Sequence, residues 1–133
     1  MRLREVSITF VGGMAGGLAH SLVLWLCGLL GVTRFLGVDL APALTPAWLY
    51  PRLVWGGLWG WLFLLPAPKL TYTTRGLFLS LGPTLVQLLV VFPEQGQGPA
   101  GLALGYLTPL VVLLLNAVWG LVAALWVKYA RHG

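Results

Sequence analysis

The chain has 133 residues, 59% of them hydrophobic and 8% charged, with a mean hydropathy of +0.90, whereas a water-soluble domain carries roughly a quarter charged residues. A soluble domain is excluded. At about 20 apolar residues per crossing, the length holds four membrane spans with no room for a separate soluble catalytic module. Eight Lys and Arg against three acids give a net charge of +5. The basic residues stand at the ends of apolar segments, as cytoplasmic flanks do, and no soluble basic face exists to dock phosphates, so no nucleic-acid partner is expected.

Met1-Arg2-Leu3-Arg4 has the basic character of a signal-peptide start, but the apolar stretch Ile8–Leu30 exceeds the roughly 7–15 residues of a signal core. It is predicted to be the first permanent span; cleavage after the small pair Ala41 and Ala43 is the alternative, and would leave three spans. Cys27 lies inside this run and reads as a small packing residue, and Leu24-Trp25-Leu26 before it lacks the small residues of a lipoprotein cleavage box. The loop from Gly31 to Ala47 mixes Arg34, Asp39, Pro42 and Pro46 with Phe35, Leu36, Val38, Leu40 and Leu44. It is expected in the outer interface, as a short amphipathic or re-entrant segment or as an ordinary hairpin loop. Three further spans follow at approximately Trp48–Leu65, Gly76–Phe92 and Gly101–Val127, separated by Pro, Gly and charged residues. The two middle spans are short, but about 26 Å at 1.5 Å per residue still crosses a thin bilayer.

Sorting the basic residues puts Arg2, Arg4, Lys69, Arg75, Lys128 and Arg131 on one side and Arg34 and Arg52 on the other. The predicted orientation therefore has both termini in the cytoplasm. Trp48, Tyr50 and Tyr106 then fall at the outer interface, and Tyr72, Trp126 and Tyr129 at the inner one. The two halves also resemble one another. Gly17-Leu18-Ala19-His20-Ser21-Leu22 matches Gly76-Leu77-Phe78-Leu79-Ser80-Leu81 at an offset of 59, and Thr45-Pro46 with Val54-Trp55-Gly56 matches Thr108-Pro109 with Val118-Trp119-Gly120 at offsets of 63 and 64. The expected architecture is thus an all-α, four-helix membrane bundle, residues 1–133 forming one transmembrane domain of two tandem similar hairpins related by an axis along the membrane normal.

Lipid tails give helices no hydrophobic reason to associate, so small residues and hydrogen bonds must join them. Gly12 and Gly16, Gly13 and Gly17, and Gly56 and Gly60 form G-x-x-x-G pairs, and Gly120 continues the pattern in the last span. Gly13, Gly16, Gly17, His20 and Cys27 share a face at 3.6 residues per turn, as do Gly76, Ser80, Thr84 and Gln87, and Gly105, Pro109, Asn116, Gly120 and Ala123. His20, Ser21, Thr84, Gln87 and Asn116 fall near the midpoints of their spans and form a candidate mid-membrane polar layer. Groups this deep need partners, and the layer reads either as interhelical glue or as a functional site. At the outer edge, Arg34, Asp39, Arg52 and Glu94 form a candidate charged group, as loop-fixing ion pairs or as an anionic-headgroup site.

Three functional readings follow. A non-catalytic accessory, assembly or scaffold subunit demands the fewest special residues and is the expectation. The alternative is small-solute or ion passage by an oligomer, although no membrane-embedded carboxylate accompanies His20. A b-type haem protein is the third: Gly13, Gly16 and Gly17 would admit a porphyrin beside His20, but His132 lies too far in depth to be the second ligand. No enzyme activity, metal or cofactor is expected. The partners expected are the lipid bilayer and either a second copy or another membrane protein, in the inner membrane of a bacterium.

Overall fold

The computed structural model describes residues 3–66 and 69–132, apart from the side chain of His132. The expectations placed on Arg2 and on the His132 side chain lie outside those residues. The described residues are helical or loop. Helix α1 is Leu3–Leu29, α2 the single turn Val32–Phe35, α3 Pro46–Gly60 with a 3-10 turn at Trp61–Leu64, α4 Tyr72–Glu94, and α5 Thr108–His132. Helices α1, α4 and α5 are long and apolar enough to cross a membrane.

Local chemistry sets the boundaries. Thr45 caps α3 by accepting from the Trp48 N–H at 3.2 Å, with Pro46 in the first turn, where its missing N–H costs nothing. Thr71 caps α4 in the same way through Thr74. Helix α4 is not uniform: its α-helical turns break at Ser80, four residues or fewer before Pro83, whose ring excludes the carbonyl one turn back. A π turn then occupies Gln87–Val91, where the Phe92 N–H reaches back to the Gln87 carbonyl. Sequence periodicity extends the last helix to Gly101, but Ala100, Gly101 and Gly105 hold φ of 56°, 71° and 144°. These left-handed positions break the helix within Pro99–Leu104 and at Gly105, and α5 begins at Thr108.

The helices alternate in direction. Arg4 donates to the Ala130 carbonyl at 3.2 Å, and Arg131 meets Glu5 at 2.7 Å, so α1 and α5 lie antiparallel with both chain ends at one end of the protein. Trp61 Nε1 donates to the Val6 carbonyl at 3.2 Å, and Arg52 lies beside Ser21, so α3 also runs against α1. Gly76 lies against Gly120 and Thr84 against Asn116, so α4 runs against α5. Helix α1 packs extensively on both α3 and α5, and α5 on α4. The counterpart contact between α3 and α4 is looser: Trp61–Leu64 meets α4, and the Trp59 and Leu62 side chains face Gly82.

Two apolar clusters fill the interior. Phe63, Trp119, Ala123, Ala124 and Val127 occupy the half nearer the chain ends, and Leu24, Val38, Val111 and Leu115 the opposite half. Val38 reaches its cluster because the 31–45 loop folds back over the far end of the helices, with the Asp39 N–H donating to the Leu104 carbonyl at 2.9 Å. Outward-facing side chains such as Leu26, Leu85, Leu89 and Leu114 are exposed, as lipid-facing positions are.

Candidate functional site

The contact between α1 and α3 is made by backbone. A Cβ on Gly13 would be driven into the Gly56 carbonyl and onto the Gly60 Cα at 2.8 Å; one on Gly56 would meet the Gly13 carbonyl at 2.7 Å and the Gly17 Cα at 3.1 Å. On the other flank of α1, a Cβ on Gly16 would lie 2.5 Å from the Trp119 carbonyl, and one on Gly12 3.1 Å from Val127. Trp119 uses this closeness: its Nε1–H is shared between the carbonyls of Gly13 at 3.1 Å and Gly56 at 3.4 Å, so one indole joins α5 to both α1 and α3. Gly60 meets Thr9 and Gly13, and Gly120 meets Gly76.

Above this contact lies a chain of polar side chains. Arg52 Nε donates to Ser21 Oγ at 3.0 Å and its Nη2 to His20 Nδ1 at 3.0 Å. A guanidinium has only donors, so Nδ1 accepts and the ring proton is on Nε2. His20 and the Asn116 side chain line the same cavity. Asn116 Nδ2 donates to Thr84 Oγ1 at 3.0 Å, and the Thr84 hydroxyl donates to the Ser80 carbonyl at 2.8 Å. The bonded pairs Arg52–His20 and Asn116–Thr84 together take one residue from each of α3, α1, α5 and α4. Arg52 lies about 9 Å below the start of α3 and His20 about 14 Å below the end of α1, at about 1.5 Å per residue.

Beside this chain opens a cavity of about 500 Å³ in the gap between α3 and α4, with α1 and α5 as its floor. His20, Arg52, Gln87 and Asn116 supply its polar wall, and Trp55, Trp59 and Phe92 much of the apolar remainder. The distorted stretch of α4, from Pro83 through the π turn, forms one side; π turns recur at functional sites because they re-aim side chains. Toward the chain ends the cavity stops at Phe63 and Trp119, which are 0% and 3% exposed.

Of the mid-membrane layer, the structure bonds Asn116 to Thr84, sets His20, Gln87 and Asn116 on one cavity wall, and gives His20 and Ser21 to Arg52. The outer-edge residues are not brought together. Arg34, Asp39 and Glu94 are exposed with no ion pair among the described residues, while Arg52 points inward, its guanidinium 4.7 Å above the Trp48 ring. Sequence position groups Arg52 with the outer-edge charges, and the structure turns it away from them. The available signal was its spacing: Arg52, Gly56 and Gly60 follow one another at four-residue steps, so the face that packs on α1 carries the arginine. The donor role of Trp119 had no such signal.

Among the described residues no group of three or more His, Cys, Asp or Glu is placed to hold a metal ion. No family model, curated protein or solved structure matches this chain.

Proposed function

We propose that this chain is a four-span integral membrane protein of two tandem hairpins, both ends cytoplasmic, that acts as a non-catalytic accessory protein by holding a membrane-derived molecule in the groove between α3 and α4. The four-span reading is supported by the direction of the long helices. Helix α1 ends at the far side and α4 begins at the terminal side, so the chain must return between residues 30 and 71, and α3 with its 3-10 turn covers that depth. The repeat is supported by matched contacts: Gly17 against Gly56 in the first half corresponds to Gly76 against Gly120 in the second, residue for residue in the aligned segments. A rotation about the membrane normal relates the α1–α5 contact to the α3–α4 contact; the first is closed and the second carries the cavity.

One observation carries the holding role. The cavity opens sideways between two helices whose outer faces are lipid-like, while an apolar cluster closes it toward the chain ends. Passage would need a polar route from end to end, and Phe63, Trp119, Ala123, Ala124 and Val127 interrupt it. The polar residues are occupied in joining four helices, which suits a fixed scaffold. The test is native mass spectrometry of the chain extracted in a mild neutral detergent. A small molecule retained at one per folded chain is the expected result; a closed ring of copies free of bound molecules, passing solute when reconstituted, would instead establish transport.

A further inference from the structure

Among the described residues the charge on Arg52 has no counter-ion. Three acids are available: Glu5 is committed to Arg131 at the terminal end, and Asp39 and Glu94 are exposed and make no ion pair among the described residues. Arginine stays protonated in proteins, and a cation withdrawn from water without a partner is costly. Arg52 is nevertheless held fast: Nε is fixed by Ser21, Nη2 by His20, and one face of the guanidinium lies over Trp48. Its other donors have no protein partner among the described residues, and the side chain lines the cavity. A rigid, partly satisfied guanidinium on a cavity wall is pre-organised for an oxyanion, which accepts two parallel N–H bonds.

Resting on the groove reading above, the geometry points to a single-chain amphiphile with an anionic head, carboxylate or phosphate, as the occupant: its head sits on Arg52 and its tail lies along Trp55 and Trp59. The depth of Arg52, about 9 Å below the start of α3 at about 1.5 Å per residue, is within reach of a head group drawn down one or two turns from the interface. The cavity, about 500 Å³, suits one chain and head, within the usual range of roughly 300–1,000 Å³ for small-molecule sites. The opening between α3 and α4 lets such a molecule enter from the bilayer without crossing the 31–45 loop.

The test uses the full chain in a neutral detergent at pH 9, titrated with 9,10-dibromostearate while tryptophan fluorescence is read, since bromines beside Trp55 and Trp59 quench them. The methyl ester of the same acid is the uncharged control, and dodecyl phosphate the competitor of the other head chemistry. We expect saturable quenching, the acid binding at least about tenfold more tightly than the ester, a difference of about 1.4 kcal/mol, and displacement by dodecyl phosphate. Arg52→Gln should remove that preference and leave the ester unchanged, while Arg34→Gln in the loop should change neither. Should Arg52→Gln not fold, Arg52→Lys keeps the charge but loses the planar fork, and should weaken the acid several-fold without affecting the ester. Equal binding of acid and ester, or an acid indifferent to both Arg52 variants, would overturn the anionic head while leaving the groove reading intact. Displacement by millimolar inorganic phosphate or acetate would assign the anion to water and overturn the amphiphile. Absence of quenching by either probe would remove the groove reading itself.

Discussion

Replacing Gly13 with alanine tests the closest contact in the protein. The added methyl would strike the Gly56 carbonyl and the Gly60 Cα, the latter at 2.8 Å. Both are backbone, so no rotamer change relieves the clash and α3 must move away from α1. Overpacking of this kind costs about 1–3 kcal/mol. The same displacement pulls the Gly56 carbonyl from the shared Trp119 Nε1–H, and a lost hydrogen bond adds about 1 kcal/mol. The expected loss is therefore about 2–4 kcal/mol, measured by reversible unfolding in mixed micelles with increasing dodecyl sulfate. Gly82→Ala is the internal control, because its methyl would meet only the tip of Leu62 at 3.2 Å and the Trp59 ring at 3.6 Å, and it should cost under about 1 kcal/mol. Equal stability of Gly13→Ala and the parent would refute the reasoning, since the two backbones would then not be in contact.

Gly76→Ala should be comparably damaging, because its methyl would be driven into the Gly120 carbonyl and to 2.9 Å from the Ala124 Cβ; a variant with intact micellar stability would mean that α4 and α5 are further apart. A double-mutant cycle of Asn116→Ala with Thr84→Val should give a coupling of about 0.5–1.5 kcal/mol, the range for side-chain hydrogen bonds between membrane helices, and a coupling near zero would disconnect α4 from the polar chain. The Glu5–Arg131 pair, 29% and 20% exposed, should contribute only about 0.2–1 kcal/mol. Glu5→Gln should accordingly destabilise slightly, and less so in 1 M salt than in 50 mM, in the same unfolding assay; an effect that grew with salt would exclude an ion pair.

Much of this fold is legible in the sequence because the bilayer imposes its own period. Ile8–Leu30 lies almost wholly within α1, and Gly12, Gly13, Gly16, Gly17, Gly56 and Gly60, spaced at three and four residues, fall on faces that meet another helix. The same logic finds His20, Thr84 and Asn116, which are polar, near mid-span and on helix faces that turn inward. Other features depend on information that hydropathy does not hold. Gly101 and Leu102 continue an apolar run, and only their backbone angles, set by the packing of Gly101 against Phe92 and Thr108, separate them from α5. Arg52 follows Pro51 at the edge of an apolar segment, which favours snorkelling until the partner residues, 31 and 32 positions earlier in the chain, are known to lie opposite. The opening between α3 and α4 is a property of how these two helices are set on α1 and α5, and no residue spacing encodes it directly.

The central claim is that α3 carries the chain across the membrane, so that four crossings enclose the groove. Single cysteines at Asp39, Thr71 and Gln95, all exposed, introduced into a Cys27→Ser background and probed on intact cells with a membrane-impermeant maleimide, test it directly. The account predicts labelling at positions 39 and 95 from outside, and at position 71 only after the membrane is permeabilised. Labelling of position 71 together with position 39 on intact cells would leave α3 lying on one side of the membrane and would contradict both the four-span arrangement and the groove built on it.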